Sequence, residues 1–218
     1  MLMPDPRLCS VPDQTAADFE IRREFSLDLQ ALTSSRQAER ALGAGARLPD
    51  FTLRDTDGAP VSAAELLSIG PLVITFYRGV WCPYCNADLR AFETVADSIR
   101  RTGAMLIAIS PQIPENNRRA QNEIGLSFPI LSDHNAELAG AFGIRWMPSR
   151  ALEGVYRNFG TDIGAFNGNG SWALPMPARY VAAQDGNIVY AKVAPNYTHR
   201  PEPADVLPVL TFLRHERA

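Results

Sequence analysis

Two hydrophobic patterns alternate along the 218 residues. Short continuous runs rich in branched side chains, "PLVITFY" (71–77), "AMLIAIS" (104–110) and "FPILS" (128–132), read as strands covered on both faces. Between and after them the period turns helical. From 82 to about 101, Leu89, Phe92, Val95, Ala96 and Ile99 share one side. A polar helix with Arg and Asn runs to about 124, and "NAELAGAFGI" (135–144) makes a short one. Ahead of the first run, "DFTLRDTDGAPVS" reads as strand, Asp-Gly turn and strand, and Ser62 with Glu65 forms a capping box that opens a short helix. "RYVAAQDGNIVYAKV" (179–193) reads as a hairpin turning at Asp185-Gly186, and a last helix from about 203 carries Val206, Leu210 and Leu213. Residues 145–176, with Pro, Gly and Asn around "FNGNGSW", are expected to hold a short helix and a long ordered loop.

Residues 15–42 place Phe19, Phe25, Leu29 and Leu32 among charges at the spacing of an amphipathic helix, which "GAGARLPD" (43–50) ends. The chain therefore divides into an N-terminal helical arm, 1–46, and a main domain, 47–218. Helices between buried strands and a closing hairpin predict an α/β domain of three layers, a central mixed sheet flanked by helices. The apolar stripe of the arm needs a cover, so the arm is expected to pack on the main domain or on a second subunit in a homodimer.

Composition narrows the function. At 46% hydrophobic, the chain can bury one substantial core. A net charge of −3 without a long basic run argues against nucleic acid or an anionic membrane as the main partner. No apolar stretch approaches the ~20 residues that span a bilayer. The start, "MLMPDPRLCS", lacks the charged-then-apolar design of a signal, so a cytoplasmic location is expected. Only Lys192 could act as an amine nucleophile, since the other basic side chains are arginines. Three cysteines do not make a stapled scaffold, and in a reducing compartment a close pair is catalytic or metal-binding.

That close pair lies in "FYRGVWCPYCNADL" (76–89). Cys82 falls where a buried strand ends and a helix begins, so free N–H groups and the helix dipole favour an anion there. Arg78, four residues earlier, adds positive charge, and Pro83 suits a first helical turn. A drop of about two pKa units would raise the thiolate fraction at pH 7 from a few per cent to roughly three quarters. Cys85, one turn on, is placed to close a disulfide. Position makes Cys82 the expected nucleophile, at the open helix start, and Cys85 the covered, higher-pKa resolving thiol. Two other readings stand beside this one. The spacing supplies half of a zinc site, which would need two more ligands from Cys9, His134, His199 and His215. Alternatively the cysteines are inert and buried, with Trp81 and Tyr84 as core aromatics.

"FYRGVWCPYC" resembles the active-site segment of peroxiredoxin-like proteins of the alkyl hydroperoxide reductase/thiol-specific antioxidant family, on the thioredoxin fold. "LPDFTL" (48–53), "FPILSD" (128–133), "LAGAFGI" (138–144) and "LPMPARYVAAQDGNIVYAKV" (174–193) extend the resemblance in order over roughly 47–213. It implies a thioredoxin-like domain and a thiol-dependent antioxidant enzyme cycling Cys82 and Cys85 between dithiol and disulfide, without cofactor or metal. Its substrate would be a hydroperoxide or a disulfide, and its reductant a thioredoxin-like protein or a small thiol. The sequence also departs from the family pattern Pro-x-x-x-Thr-x-x-Cys: Arg78 takes the proline's place, Cys82 the threonine's and Cys85 the peroxidatic cysteine's. The family's peroxide-polarising arginine falls on Pro177. A proline before that strand resembles thioredoxin, which implies a cis Met176–Pro177 bond facing the cysteines.

Arg78, Trp81, Pro83, Tyr84 and Pro177 are thus expected to shape the site around Cys82 and Cys85. Asp88 is read as a solvated helix residue rather than a proton relay, Arg179 as a surface or packing residue and His199 as a loop residue. Trp172 could roof the site or fill the core edge, and Cys9 is read as incidental rather than resolving. The competing function is a non-enzymatic redox sensor or adaptor that holds a partner through the N-terminal helix.

Overall fold

The computed structural model describes residues 16–215, with side chains from 19 onward; Cys9 lies outside them. The arm consists of α1 (Ala16–Ser34) and a single turn, α2 (Gln37–Arg40). β1 (Thr52–Arg54) and β2 (Pro60–Ser62) follow, joined by a turn in which Asp55 Oδ1 accepts the N–H groups of Asp57 (2.8 Å) and Ala59 (2.9 Å). α3 (Ala63–Ile69) opens on the capping box: Ser62 Oγ accepts from Glu65 N–H at 3.2 Å, and the Glu65 carboxylate from Ser62 N–H at 3.1 Å.

The centre of the chain alternates β3 (Leu72–Phe76), α4 (Pro83–Arg101), β4 (Met105–Ser110), α5 (Pro114–Ile124) and β5 (Ile130–Ser132). After a 3-10 turn come α6 (Glu137–Ala141), β6 (Arg145–Trp146), α7 (Arg150–Asn158), α8 (Ile163–Asn167) and β7 (Leu174–Pro175). The hairpin β8 (Ala178–Ala182) and β9 (Ile188–Val193) leads through a second 3-10 turn to α9 (Val206–His215).

Seven strands form one sheet in the order β2-β1-β5-β4-β3-β8-β9. β3, β4 and β5 run parallel, and the other pairings are antiparallel. All five residues of β3 are buried, as a continuous apolar run demands of a strand covered on both faces. The period of two sends Leu72, Ile74 and Phe76 into one core with Phe142 and Tyr180, while Val73 joins Leu89, Phe92, Ile99 and Leu210 on the other face. This is the thioredoxin-like mixed sheet that the pattern predicts. Among the described residues, no helix is long and apolar enough to cross a membrane.

Two expectations need correction. Residues 145–176 hold two helices and a short ladder, not one helix and a long loop. Side-chain caps start both helices: Ser149 Oγ accepts from Leu152 N–H (3.2 Å) and Asp162 Oδ1 from Ala165 N–H (3.1 Å). The Met176–Pro177 bond is trans, as no cis peptide occurs among the described residues. Pro177 instead extends the hairpin, its carbonyl accepting from Ala194 N–H at 2.8 Å. The argument from thioredoxin therefore loses its support.

The arm packs on its own domain. Leu32 is buried, Phe25 meets Tyr156 of α7 edge-on with ring centroids 5.4 Å apart, and Ser149 N–H donates to Asp28 at 2.9 Å. Gln37 Nε2 donates to the carbonyls of Gly143 (3.0 Å) and Arg145 (2.7 Å). Phe19 and Leu27 stay exposed. Because two apolar side chains carry most of this contact, the double substitution Phe25→Ala/Leu32→Ala is expected to release α1 first. Hydrogen exchange should then accelerate about tenfold or more in α1 amides and leave β3 and β4 protected, the signature of local rather than global opening.

Candidate active site

The loop between β3 and α4 sets the geometry. Gly79 sits at φ +153°, and a Cβ there would lie 2.4 Å from Trp81 Nε1 and 2.9 Å from Gln112 Oε1, so only glycine fits without displacement. Gln112 Oε1 also accepts from Val80 N–H (3.1 Å), and Asn86 Nδ2 donates back to Val80 O (2.7 Å). Cys82 occupies the N-cap of α4 with extended backbone angles, and Pro83 takes the first turn. Cys82 N–H donates to Gly79 O at 3.1 Å, closing the turn that delivers the sulfur.

Both cysteines are free thiols, Cys82 1% and Cys85 0% exposed. The two thiols act on each other's ionisation, the Cys82 thiol favouring charge on Cys85. Cys85 Sγ also accepts from the Arg78 backbone N–H (3.4 Å) and from Arg200 Nη2 (3.3 Å). Arg78 Nη1 lies 4.0 Å from Cys82 Sγ. Burial opposes charge on either sulfur. At Cys85 the Cys82 thiol, the Arg200 and Arg78 guanidiniums and the Arg78 N–H outweigh it, and its pKa is held well below the ordinary thiol range. At Cys82 burial prevails, reinforced by Cys85 and its charge, and the pKa is pushed well up. The electrostatic order is the reverse of that expected from helix position, because Cys82 is enclosed and the donors converge one turn further in.

Around the pair lies a buried charge network. Arg78, 1% exposed, donates to the Tyr156 hydroxyl, and its guanidinium carbon stacks 4.1 Å from the Tyr197 ring centroid and 4.8 Å from that of Trp81. Arg200 is steadied by the Tyr197 carbonyl (Nε–O, 2.9 Å) and lies 3.9 Å from Asp88 Oδ2. Asp88 pairs directly with Arg179, which rests on the Phe92 ring. Asp88 is therefore no solvated residue and Arg179 no surface one: each enters the core because it carries its partner with it.

A cavity of about 220 Å³ opens against Cys82, walled by Arg78, Trp81, Pro83, Tyr84, Tyr156, Thr161 and Tyr197, with Arg22 and Phe25 of α1 closing one side. The expected site residues thus gather here, with Cys85 directly behind Cys82. Pro177 does not join them; it borders a small recess beside Asp88, Arg179 and Arg200. Trp172 fills the core edge against Tyr156, ring centroids 6.5 Å apart, and His199 is an exposed loop residue bonded to Asn196 at 2.7 Å. Tyr156, Tyr197, Arg200 and the α1 wall were missed by the sequence reading. Tyr156 reads as an ordinary apolar-face residue of a helix with Leu152, and nothing local ties "NYTHRPEP" to the cysteines.

The family pattern described as the AhpC/TSA family matches residues 44–191. The chain belongs to the AhpC/TSA family. It is accordingly an enzyme of the thiol-dependent peroxidase class. A Mycobacterium tuberculosis protein named provisionally as a peroxiredoxin is 32% identical over 117 residues, 52% of this chain and 74% of the relative. The thiol-disulfide oxidoreductase ResA of Halalkalibacterium halodurans is 32% identical over 117 residues, 53% of this chain and 65% of the relative. Among solved structures, the M. tuberculosis peroxidoxin BcpB superposes with a TM-score of 0.62 at 21% identity, covering 81% of this chain and 99% of that one. A yeast mitochondrial 1-Cys peroxiredoxin gives a TM-score of 0.62 at 16% identity, covering 81% and 78%. These two show the shared fold. The AhpC/TSA match begins after α1, so the helix that closes the cavity lies outside it.

The network should be costly to open. Asp88→Asn leaves Arg179 buried against a neutral amide, and the unfolding free energy measured in urea is expected to fall by about 3 kcal/mol.

Proposed function

We propose that the protein reduces hydroperoxides with Cys85 as the attacking thiolate and Cys82 as the resolving thiol. The observation that carries this reading is the convergence of the Arg78 N–H and Arg200 Nη2 on Cys85 Sγ, at 3.4 and 3.3 Å. With the thiol held well below its usual range, the thiolate share at neutral pH rises above the few per cent of a free thiol. The resemblance to the family pattern, with Cys85 in the peroxidatic cysteine's position, supports the same reading. Cys82, in the threonine's place, favours charge on Cys85 and faces the cavity, so substrate meets Cys85 past the Cys82 thiol.

The reaction then balances within the pair. Cys85 sulfur attacks the terminal oxygen of ROOH, the O–O bond breaks, and RO⁻ takes the Cys82 proton to leave as ROH. The products at the site are a Cys85 sulfenic acid and a Cys82 thiolate. Cys82 sulfur attacks Cys85 sulfur, hydroxide departs, and a disulfide remains. A dithiol reductant, thioredoxin-like or a small thiol, restores both thiols through a mixed disulfide. Two cysteines that are both buried favour a small hydroperoxide as oxidant over a bulky protein disulfide.

Cys85→Ser is expected to abolish peroxide consumption. Cys82→Ser keeps a donor beside Cys85 but supplies no second sulfur: it should form a dimedone-reactive sulfenic acid in one turnover and lose sustained turnover with dithiols. The folded pKa of Cys85 lies below the ordinary value, so its alkylation rate in Cys82→Ser should stay flat as pH falls through about 8.5 and drop only on further acidification. Arg200→Met should move that drop to higher pH by about one unit or more. A fast thiol surviving in Cys85→Ser and forming the sulfenic acid there would make the cavity-facing sulfur the nucleophile and reverse the assignment.

A further inference from the structure

We infer that the helix α1, which lies outside the family match, makes the cavity selective for hydroperoxides that carry a carboxylate on an apolar body. The inference rests on the peroxidase reading above and adds its substrate class. Hydrogen peroxide is little larger than a water molecule, whose share of liquid is ~30 Å³, so a cavity of about 220 Å³ is several times what it needs. The surplus space is lined by the rings of Phe25, Trp81, Tyr84, Tyr156 and Tyr197, which suits a ring or a branched hydrocarbon rather than a polar chain.

Charge points to the second half of the ligand. Two guanidiniums, Arg22 and Arg78, line the cavity, and among the described residues no carboxylate does. Arg78 is 1% exposed, has no carboxylate partner among the described residues, and its Nε has no hydrogen-bond partner. Deeper in, the buried guanidiniums of Arg78 and Arg179 and the half-buried one of Arg200 face, among the described residues, only Asp88 and the Cys85 sulfur as anionic partners, so positive charge is left over. Arg22 is the exposed guanidinium of the lining and has no hydrogen bond or ion pair among the described residues, while Asp28 on the same helix accepts from Ser149 N–H. A hydroperoxide group directed at the sulfurs would thus leave a carboxylate at the opposite end beside Arg22, with the aromatic walls holding the body between.

The test uses a matched pair of substrates, cumene hydroperoxide and the same molecule with a carboxylate para to the hydroperoxide-bearing group, turned over by the full chain with a dithiol. The wild type should show the higher kcat/KM for the carboxylate, through KM. In Arg22→Ala the carboxylate-to-neutral ratio should fall about fivefold, and Arg22→Lys should restore most of it, as expected for a partly exposed ion pair. Equal use of both substrates by the wild type, or an unchanged ratio in Arg22→Ala, would overturn the inference. Calorimetric binding of 4-isopropylbenzoate, which has no peroxide bond, separates the two claims. Arg22-dependent binding without turnover of either hydroperoxide would sink the peroxidase reading and keep the anion-selective cavity. Absence of such binding, with hydroperoxides still consumed, would do the opposite.

Discussion

Favouring ionisation of a thiol that water does not reach is the constraint that the surrounding structure answers. Burial alone would neutralise Cys85 by raising its pKa, since a charge taken from water without partners is strongly disfavoured. Four groups oppose that: the thiol of Cys82 at the helix cap, the guanidinium of Arg200 from the loop before α9, and the guanidinium and backbone N–H of Arg78 just past β3. Each is itself held in place. The glycine turn and Gln112 fix the backbone leading to the cap, Tyr197 and Asp88 fix Arg200, and Arg179 balances Asp88. Buried polarity of this extent is stable only when nearly every member has a partner, which explains why the charged residues enter the core as a set.

The parts of this arrangement that depend on near neighbours were readable from the chain. The β-branched runs at 72–76 and 105–110 announce strands covered on both faces, and they pair as the central parallel strands. Ser62 and Glu65 announce a capping box, and the bonds are present. Cys82, Cys85, Arg78 and Pro83 were found because they sit within eight residues at a strand-to-helix junction.

What lay hidden depends on topology. Arg200 reaches Cys85 across 115 residues of sequence, and Arg179 reaches Asp88 across 91. A lone Asp on a helix or a lone Arg beside a strand is correctly expected at the surface, because the cost of burying either falls only when the other is present. Pro177 misled for a related reason: a proline before a strand marks a thioredoxin site only through its peptide geometry, which no residue pattern displays. The relative acidity of the two thiols likewise follows the convergence of donors on Cys85 rather than position along the helix.

Arg78 acts on the sulfurs through two parts of itself. Its amide hydrogen points at Cys85, while its guanidinium lies near Cys82 and stacks among Tyr197, Trp81 and Tyr156. Only the second contribution belongs to the identity of the side chain; the first belongs to the path of the main chain. Any residue other than proline at this position would offer Cys85 the same amide, so the bend that brings β3 to α4 contributes to the site independently of side-chain chemistry.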